Sequence, residues 1–407
     1  MSRFRFIAVE QVVHAVALVC RVLQVSRSGF YAWQHRGPSL QAQANAVLTT
    51  RLRVIHAASR RTYGVPRMHA ELRAQGTICH AYDQVPVAVD KPRYPVLVFS
   101  PSGFPPMLLT AMLEELASHG YIVVGINHTY KSAVTVFPDG RTVPLDVERM
   151  QPALGPFSGD PGAAFRGRAV IAMDQAADIR FVLDKLEALN GWADALGGRF
   201  DLGRLGVFGH SLGGNAALEV GRRDARCSAV ANLAGGVWSE VGQTGLTIPS
   251  LLILADHMEM RQPCEDLAQM GAYPSVDWCQ AERAFNLGAW RTVYERSRPG
   301  YAMIIKGSGH ISFMDIPFLP VVPGSMVAAG LAAVQIERER AWRVICDHLL
   351  AFFAWHPGGV PDPHLDGLSC SDPEVAHGPP ARACGRVRAL TDPGAVHGGS
   401  SSPAFTW

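Results

Sequence analysis

The segment Leu205-Gly206-Val207-Phe208-Gly209-His210-Ser211-Leu212-Gly213-Gly214 sets a serine inside the pattern G-x-S-x-G, with strand-forming residues before it and helix-forming residues after it. Glycines at 209 and 213 let a strand turn sharply into a helix and leave the serine hydroxyl exposed at the turn. The five-residue pattern alone is common by chance, and an idle serine in a glycine-rich turn is its bland reading. The strand, the helix and the further glycine at 214 make the signal specific. A serine hydroxyl is a poor nucleophile until a base takes its proton, so a histidine must come from elsewhere in the chain. Lys306-Gly307-Ser308-Gly309-His310 supplies one, directly after the apolar run at 301–305. His119 and His348 fall in helical stretches and read as packed or surface residues. The expected chemistry is acyl transfer, with Ser211 as nucleophile and His310 as base.

The oxyanion formed in such a reaction needs two backbone N–H donors. One belongs to Leu212, the residue after the nucleophile. The other is expected from the loop Ser100-Pro101-Ser102-Gly103-Phe104-Pro105-Pro106, where Gly103 or Phe104 is the donor.

These residues need a scaffold that brings strand ends together. From residue 94 the chain alternates short β-branched runs with longer helical stretches, the pattern of a parallel sheet with helices on both faces. Strands are expected at 95–99, 121–126, 205–208, 229–233, 250–255 and 301–305. Helices are expected at about 107–119, 169–189, 212–222 and 337–355. The tail 357–407 is rich in Pro, Gly and Ser without apolar periodicity and reads as disordered.

Composition bounds the alternatives. The chain has 407 residues, 48% hydrophobic and 18% charged, which suits a globular protein with a large core. Its net charge of +2 conceals an asymmetry: residues 1–76 hold eleven arginines, no lysine and two acids, a net +9, whereas the remainder is acidic. No apolar run reaches the roughly 18 residues of a membrane span. With no export signal legible, the expected compartment is the cytoplasm. The eight cysteines show no C-x-x-C and no zinc spacing, so no metal and no cofactor are expected. Cys264 and Cys279 share one insertion and could pair in an oxidising compartment, but free thiols are the expectation.

Two resemblances add to this reading. YPVLVFSPSGFPPMLLTAMLEELASHGYIVVGINHTY, VFPDGR at 136–141, ADIRFVLDKLE at 177–187, GHSLGG, NLAGGVW at 232–238 and KGSGHISFMD at 306–315 resemble the plasma-type platelet-activating-factor acetylhydrolases and their bacterial relatives. The resemblance covers residues 94–355. It implies an α/β-hydrolase fold and a calcium-independent serine esterase acting on short or oxidised acyl chains, with a small-molecule or lipid ester as partner. Two departures matter. The family's strands before YPVLVF are missing, which leaves a sheet edge unprotected. The family's triad acid sits in N-L-D-G, and this chain has Ala234 there. Asp256, closing the next strand in Leu252-Ile253-Leu254-Ala255-Asp256, is the substitute; its other reading is a loop residue capping the following segment. The insertion at 257–300 carries Met258, Met260, Met270, Trp278, Phe285 and Trp290, and reads either as a lid with an acyl pocket or as plain core.

The second resemblance lies at the other end. Apolar residues recur at helical spacing over 11–23, a turn and short second helix follow to Trp33, and basic helices follow at 44–59 and after Pro66. CRVLQVSRSGFYAW and IHAASRRTYGVPRMHAELRAQG resemble the helix-turn-helix arm of insertion-sequence transposases over residues 1–76, stopping before the integrase-like core. DNA is the partner this implies, although truncation favours a relic. The domain plan is thus 1–76 transposase-like arm, 77–93 linker, 94–356 hydrolase domain, and 357–407 tail.

Overall fold

The computed structural model describes residues 90–154, 160–192, 196–256, 263–269, 273–316 and 334–356, together with 7, 16–23, 25–28, 30–31, 87–88, 365, 372 and 374–377. At the N-terminal end, helix α1 (Val16–Val22) buries Val19 and Cys20 with Ile7 and Phe30, within the first helix expected of the arm. The later helices expected at 44–59 and after Pro66 lie outside the described residues.

The hydrolase part is built on a seven-stranded sheet. Its strands are β1 (Tyr94–Ser100), β2 (Ile122–Gly125), β5 (Phe200–His210), β6 (Ala229–Leu233), β7 (Ser250–Ala255), β8 (Gly300–Ile305) and β9 (Val375–His377), in the order β2-β1-β5-β6-β7-β8-β9. All neighbours are parallel except β8 and β9. A separate hairpin pairs β3 (Val134–Val136) with β4 (Thr142–Pro144).

Alternation along the strands divides the core between two faces. Val96, Val98, Val207, Val230 and Leu252 meet α4 (Pro161–Asn190), α5 (Leu212–Arg223) and α8 (Val276–Arg296) on one side. Leu97, Phe99, Phe208, Ala231 and Ile253 meet α2 (Thr110–Ser118) and α9 (Arg338–Trp355) on the other. The short helices α3 (Val147–Leu154), α6 (Val241–Thr244) and α7 (Cys264–Gln269) complete the described set. This is the expected α/β-hydrolase architecture.

Register aligns the carboxyl ends of the central strands. Ser100 pairs with Gly209, His210 with Leu233, Leu233 with Ile253, and Ala255 with Ile305. Loops that leave these ends converge above one edge of the sheet, where open α/β sheets carry their sites.

Among the described residues nothing pairs with the outer side of β2, which ends the sheet next to β1. Two expectations need correction. The stretch expected as a disordered tail supplies β9, which pairs antiparallel to β8, and Arg340 of α9 forms ion pairs with Asp372 and Glu374 beside it. Those charges make an ordered edge that apolar periodicity could not announce. Finally, Cys264 and Cys279 are a disulfide, not free thiols, tying α7 to α8. Such bridges persist in oxidising surroundings, so this pair gives no support to the expected cytoplasmic location. Among the described residues, no helix is long and apolar enough to cross a membrane.

The disulfide closes a 15-residue separation, for which loop-closure entropy predicts about 3 kcal/mol of stabilisation. The double variant Cys264→Ser/Cys279→Ser should therefore lose about that much in denaturant unfolding. Unchanged stability would show the bridge to be energetically idle.

Candidate active site

Ser211 occupies the turn between β5 and α5 with φ 60° and ψ −127°, backbone angles that non-glycine residues rarely adopt. Its N–H donates to the Leu233 carbonyl at 2.9 Å and its carbonyl accepts from the Gly214 N–H at 3.0 Å, so the strained residue is fixed from both sides. The turn is closed too tightly for side chains. A Cβ on Gly209 would lie 2.2 Å from the Gly213 carbonyl oxygen, and one on Gly213 would lie 2.1 Å from the Ser100 carbonyl oxygen. Those contacts explain the glycines of the motif.

His310 opens a 3-10 turn, His310–Phe313, after β8. The loop before it is braced: Ser308 Oγ donates to the Ile305 carbonyl at 2.7 Å, and the Gly309 N–H donates to Ser312 Oγ at 3.0 Å. His210, next to the serine in sequence, reaches across and donates from Nε2 to the His310 carbonyl at 3.1 Å, with the two rings 4.5 Å apart. Burial, reinforced by the charge His310 can carry, holds His210 well below the usual histidine range. A neutral ring with its proton on Nε2 fits that bond. Phe104 of the oxyanion loop and Phe313 of the histidine loop flank the same His210 ring.

Asp256 is buried at the end of β7, and its Oδ2 accepts the Gly307 N–H at 2.8 Å. The carboxylate thus grips the loop that carries His310. Ala234 directly follows β6 with φ 48°, its N–H bonded to the Ile253 carbonyl at 2.8 Å. That left-handed conformation suits Asn and Asp better than Ala.

Leu212 starts α5, where the first N–H groups have no acceptor within the helix and the dipole favours negative charge. Of the two candidates for the second donor, Phe104 spends its N–H on the Pro101 carbonyl in a long turn bond of 3.3 Å. The Gly103 N–H meets no backbone acceptor among the described residues.

Beside Leu212 lies an apolar wall of Met150, Phe165, Trp238 and Trp278, with Phe285 packed against it. Trp278 and Phe285 of the insertion border the site, whereas Trp290 belongs to the main core and donates Nε1–H to the Gly235 carbonyl at 2.9 Å. Met258, Met260 and Met270 lie outside the described residues. Arg168, which the sequence reading passed over, lies between the Trp238 and Trp278 rings at 5.1 and 5.7 Å and forms a buried ion pair with Glu282 of α8. A charge on a long helix announces no such role from spacing alone.

The chain is similar to known proteins. A ferulic acid esterase from Streptomyces cinnamoneus, a solved structure, is 30% identical with a TM-score of 0.54, over 71% of this chain and 74% of that one. The chain belongs to the α/β-hydrolase esterases. A protein named "Probable 1-alkyl-2-acetylglycerophosphocholine esterase" from Arthroderma benhamiae is 26% identical over 294 residues, 69% of this chain and 65% of that protein. That likeness agrees with the acetylhydrolase resemblance. The HTH-like domain family matches residues 42–81, five residues past Gly76 and beyond the segment 11–33 where the turn was expected. An insertion sequence IS3A transposase from Escherichia coli is 27% identical over 139 residues, 33% of this chain and 47% of that protein. The chain thus spans just under two thirds of the curated esterase and about half of the transposase.

One buried carboxyl ties the two loops together. Asp315, five residues past His310, donates its N–H to the Leu108 carbonyl at 2.7 Å and accepts the Ala111 N–H on Oδ2 at 3.1 Å. Burial, with Glu114 adding repulsion, pushes its carboxyl up to about 6 despite those backbone donors. The fold therefore binds this proton more tightly than the unfolded chain does. The stabilisation is complete below about pH 4 and is lost as pH rises through about 6. Two pKa units correspond to about 3 kcal/mol. Asp315→Asn keeps an acceptor for Ala111 and removes the titration, so its stability relative to the native protein should rise between pH 4 and pH 7. Parallel pH profiles for the two proteins would contradict this assignment.

Proposed function

We propose that the chain is a serine carboxylic-ester hydrolase working through an acyl-enzyme on short-chain or oxidised acyl esters, acetylated phospholipids among them. The observation that carries the proposal is the strained Ser211 turn over aligned strand ends, with the His310 loop braced beside it. In this reading His310 takes the Ser211 proton while Oγ bonds the ester carbonyl carbon. The carbonyl oxygen gathers the charge and rests on the N–H groups of Leu212 and Gly103 or Phe104. Collapse returns the electron pair to carbon, and the alcohol leaves with the proton from His310. Water, deprotonated by the same histidine, then releases the acid and restores Ser211. Asp256 orients His310. The wall of Phe165, Trp238 and Trp278 beside Leu212 supplies an apolar berth for the acyl chain.

Ser211→Ala should lower turnover of p-nitrophenyl acetate by about 10⁴- to 10⁶-fold with an unchanged circular dichroism spectrum. Retained turnover would exclude the serine mechanism. Asp256→Asn keeps the volume of the acid but inverts its hydrogen bond, and should cost roughly 10⁴-fold. Adding Ala234→Asp to that variant should restore part of the activity, since residue 234 ends the neighbouring strand in a conformation that suits aspartate. A nearly silent Asp256→Asn would instead mean a Ser211 and His310 dyad or a different acid.

The match of the HTH-like domain family to residues 42–81 favours a second reading, in which the arm binds DNA. Eleven arginines in residues 1–76 would then give duplex binding that weakens steeply with salt. Deletion of residues 1–76 should leave esterase activity intact if the arm is a relic. Sequence-selective gel shifts at physiological salt would establish the DNA-binding reading instead.

A further inference from the structure

A second serine, Ser100, ends the strand that leads into the oxyanion loop. Its Oγ lies 2.8 Å from His128 Nε2, and His128 Nδ1 lies 2.8 Å from Asp178 Oδ2. The residue types are those of a nucleophilic triad, yet Ser100 is completely buried and no substrate can reach it. Whatever this chain of bonds does must act through what Ser100 holds.

Ser100 faces the nucleophile's helix. Its carbonyl oxygen and Oγ stand 2.1 and 2.6 Å from the point where Gly213 would carry a Cβ, directly behind Leu212. His128 faces the oxyanion loop. Its carbonyl accepts the N–H groups of Lys131 at 3.0 Å and Ser132 at 2.8 Å, which folds residues 128–132 into a tight turn. That turn grips the loop: the Ala133 N–H donates to the Gly103 carbonyl at 3.1 Å, and Ser132 Oγ donates to the Phe104 carbonyl at 3.4 Å. Lys131, itself buried, bonds Asp178 at 2.7 Å and Asp174 at 3.0 Å, fixing the acid end. Burial pushes His128 below the usual histidine range. In the neutral ring Nδ1–H donates to Asp178, so Nε2 accepts the Ser100 O–H.

We propose that Ser100, His128 and Asp178 form a positioning relay that clamps the oxyanion loop against the start of α5, so that its N–H and that of Leu212 converge on one oxygen. The relay rests on the reading of Ser211 as nucleophile. It touches neither substrate nor reacting atoms, and its effect is confined to the placement of donors. Such donors act by preorganisation, and a displacement of about 1 Å costs on the order of 10²-fold in rate.

The test uses the full chain with Ser100→Ala, which removes one hydroxyl, and His128→Phe. Turnover and KM for p-nitrophenyl acetate are measured alongside inhibition by phenylboronic acid, whose tetrahedral adduct on a nucleophilic serine puts an oxygen where the oxyanion would sit. The relay predicts a fall in kcat of roughly 10- to 100-fold with KM little changed, and a rise in the boronate inhibition constant by the same factor. A structural role alone would lower the melting temperature and leave both parameters of the folded fraction intact. Full kcat in Ser100→Ala, or loss of kcat with unchanged boronate affinity, overturns the proposal, and this variant decides the matter alone if His128→Phe fails to fold. Ser211→Ala is assayed in parallel: activity retained there refutes the nucleophile itself, whereas an inactive Ser211→Ala beside a fully active Ser100→Ala refutes only the relay.

Discussion

Helix α5 begins so close to the ends of β1 and β5 that no side chain fits between them, and the rest of the site follows from that contact. Gly213 lies against the Ser100 backbone and Gly209 against Gly213, which forces Ser211 into its left-handed conformation. Such a conformation costs on the order of 1–3 kcal/mol and persists only where the surroundings over-determine it. Here the Leu233 carbonyl and the first turn of α5 do so. The strained turn sets residue 211 at the carboxyl ends of the strands, where loops from β1, β7 and β8 also begin.

In the proposed mechanism the acid comes from a neighbouring strand end. Ala234 and Asp256 close adjacent strands, and the backbone joins them, since the Ala234 N–H bonds the carbonyl of Ile253, three residues before Asp256. Of the two, Asp256 lies beside the loop that carries His310. Ala234 still keeps a left-handed backbone that an aspartate would adopt more easily. Asp256 grips Gly307 and thereby the approach to His310. We read this as an acid moved by one strand, with the base left in place.

Much of this was legible in the sequence because hydrophobic alternation and glycine placement are local signals. The strands at 229–233 and 250–255 fall where short, mostly apolar runs are bounded by turn residues. Helix α4 starts eight residues before the expected position 169, because Asp160 and Pro161 form a cap and first turn that carry no apolar periodicity. Strand β9 escaped because three residues held by pairing and by the charges of Arg340 leave no pattern in a Pro- and Gly-rich tail. The disulfide escaped for a related reason: spacing permits a bridge, but only the packing of α7 on α8 brings the sulfurs together. Arg168 and the Ser100–His128–Asp178 chain depend on contacts between residues distant in sequence, which no window of residues contains.

In the proposed mechanism the turn over the strand ends activates Ser211. Fluorophosphonates react with serines made nucleophilic by a neighbouring base and spare ordinary hydroxyls, so covalent labelling reads activation directly, without a known substrate. Treating the full chain with such a probe and mapping the modified peptide should place one adduct on Ser211, blocked by prior incubation with phenylboronic acid. An unlabelled protein that is folded by circular dichroism, or an adduct on any other serine, would contradict the account.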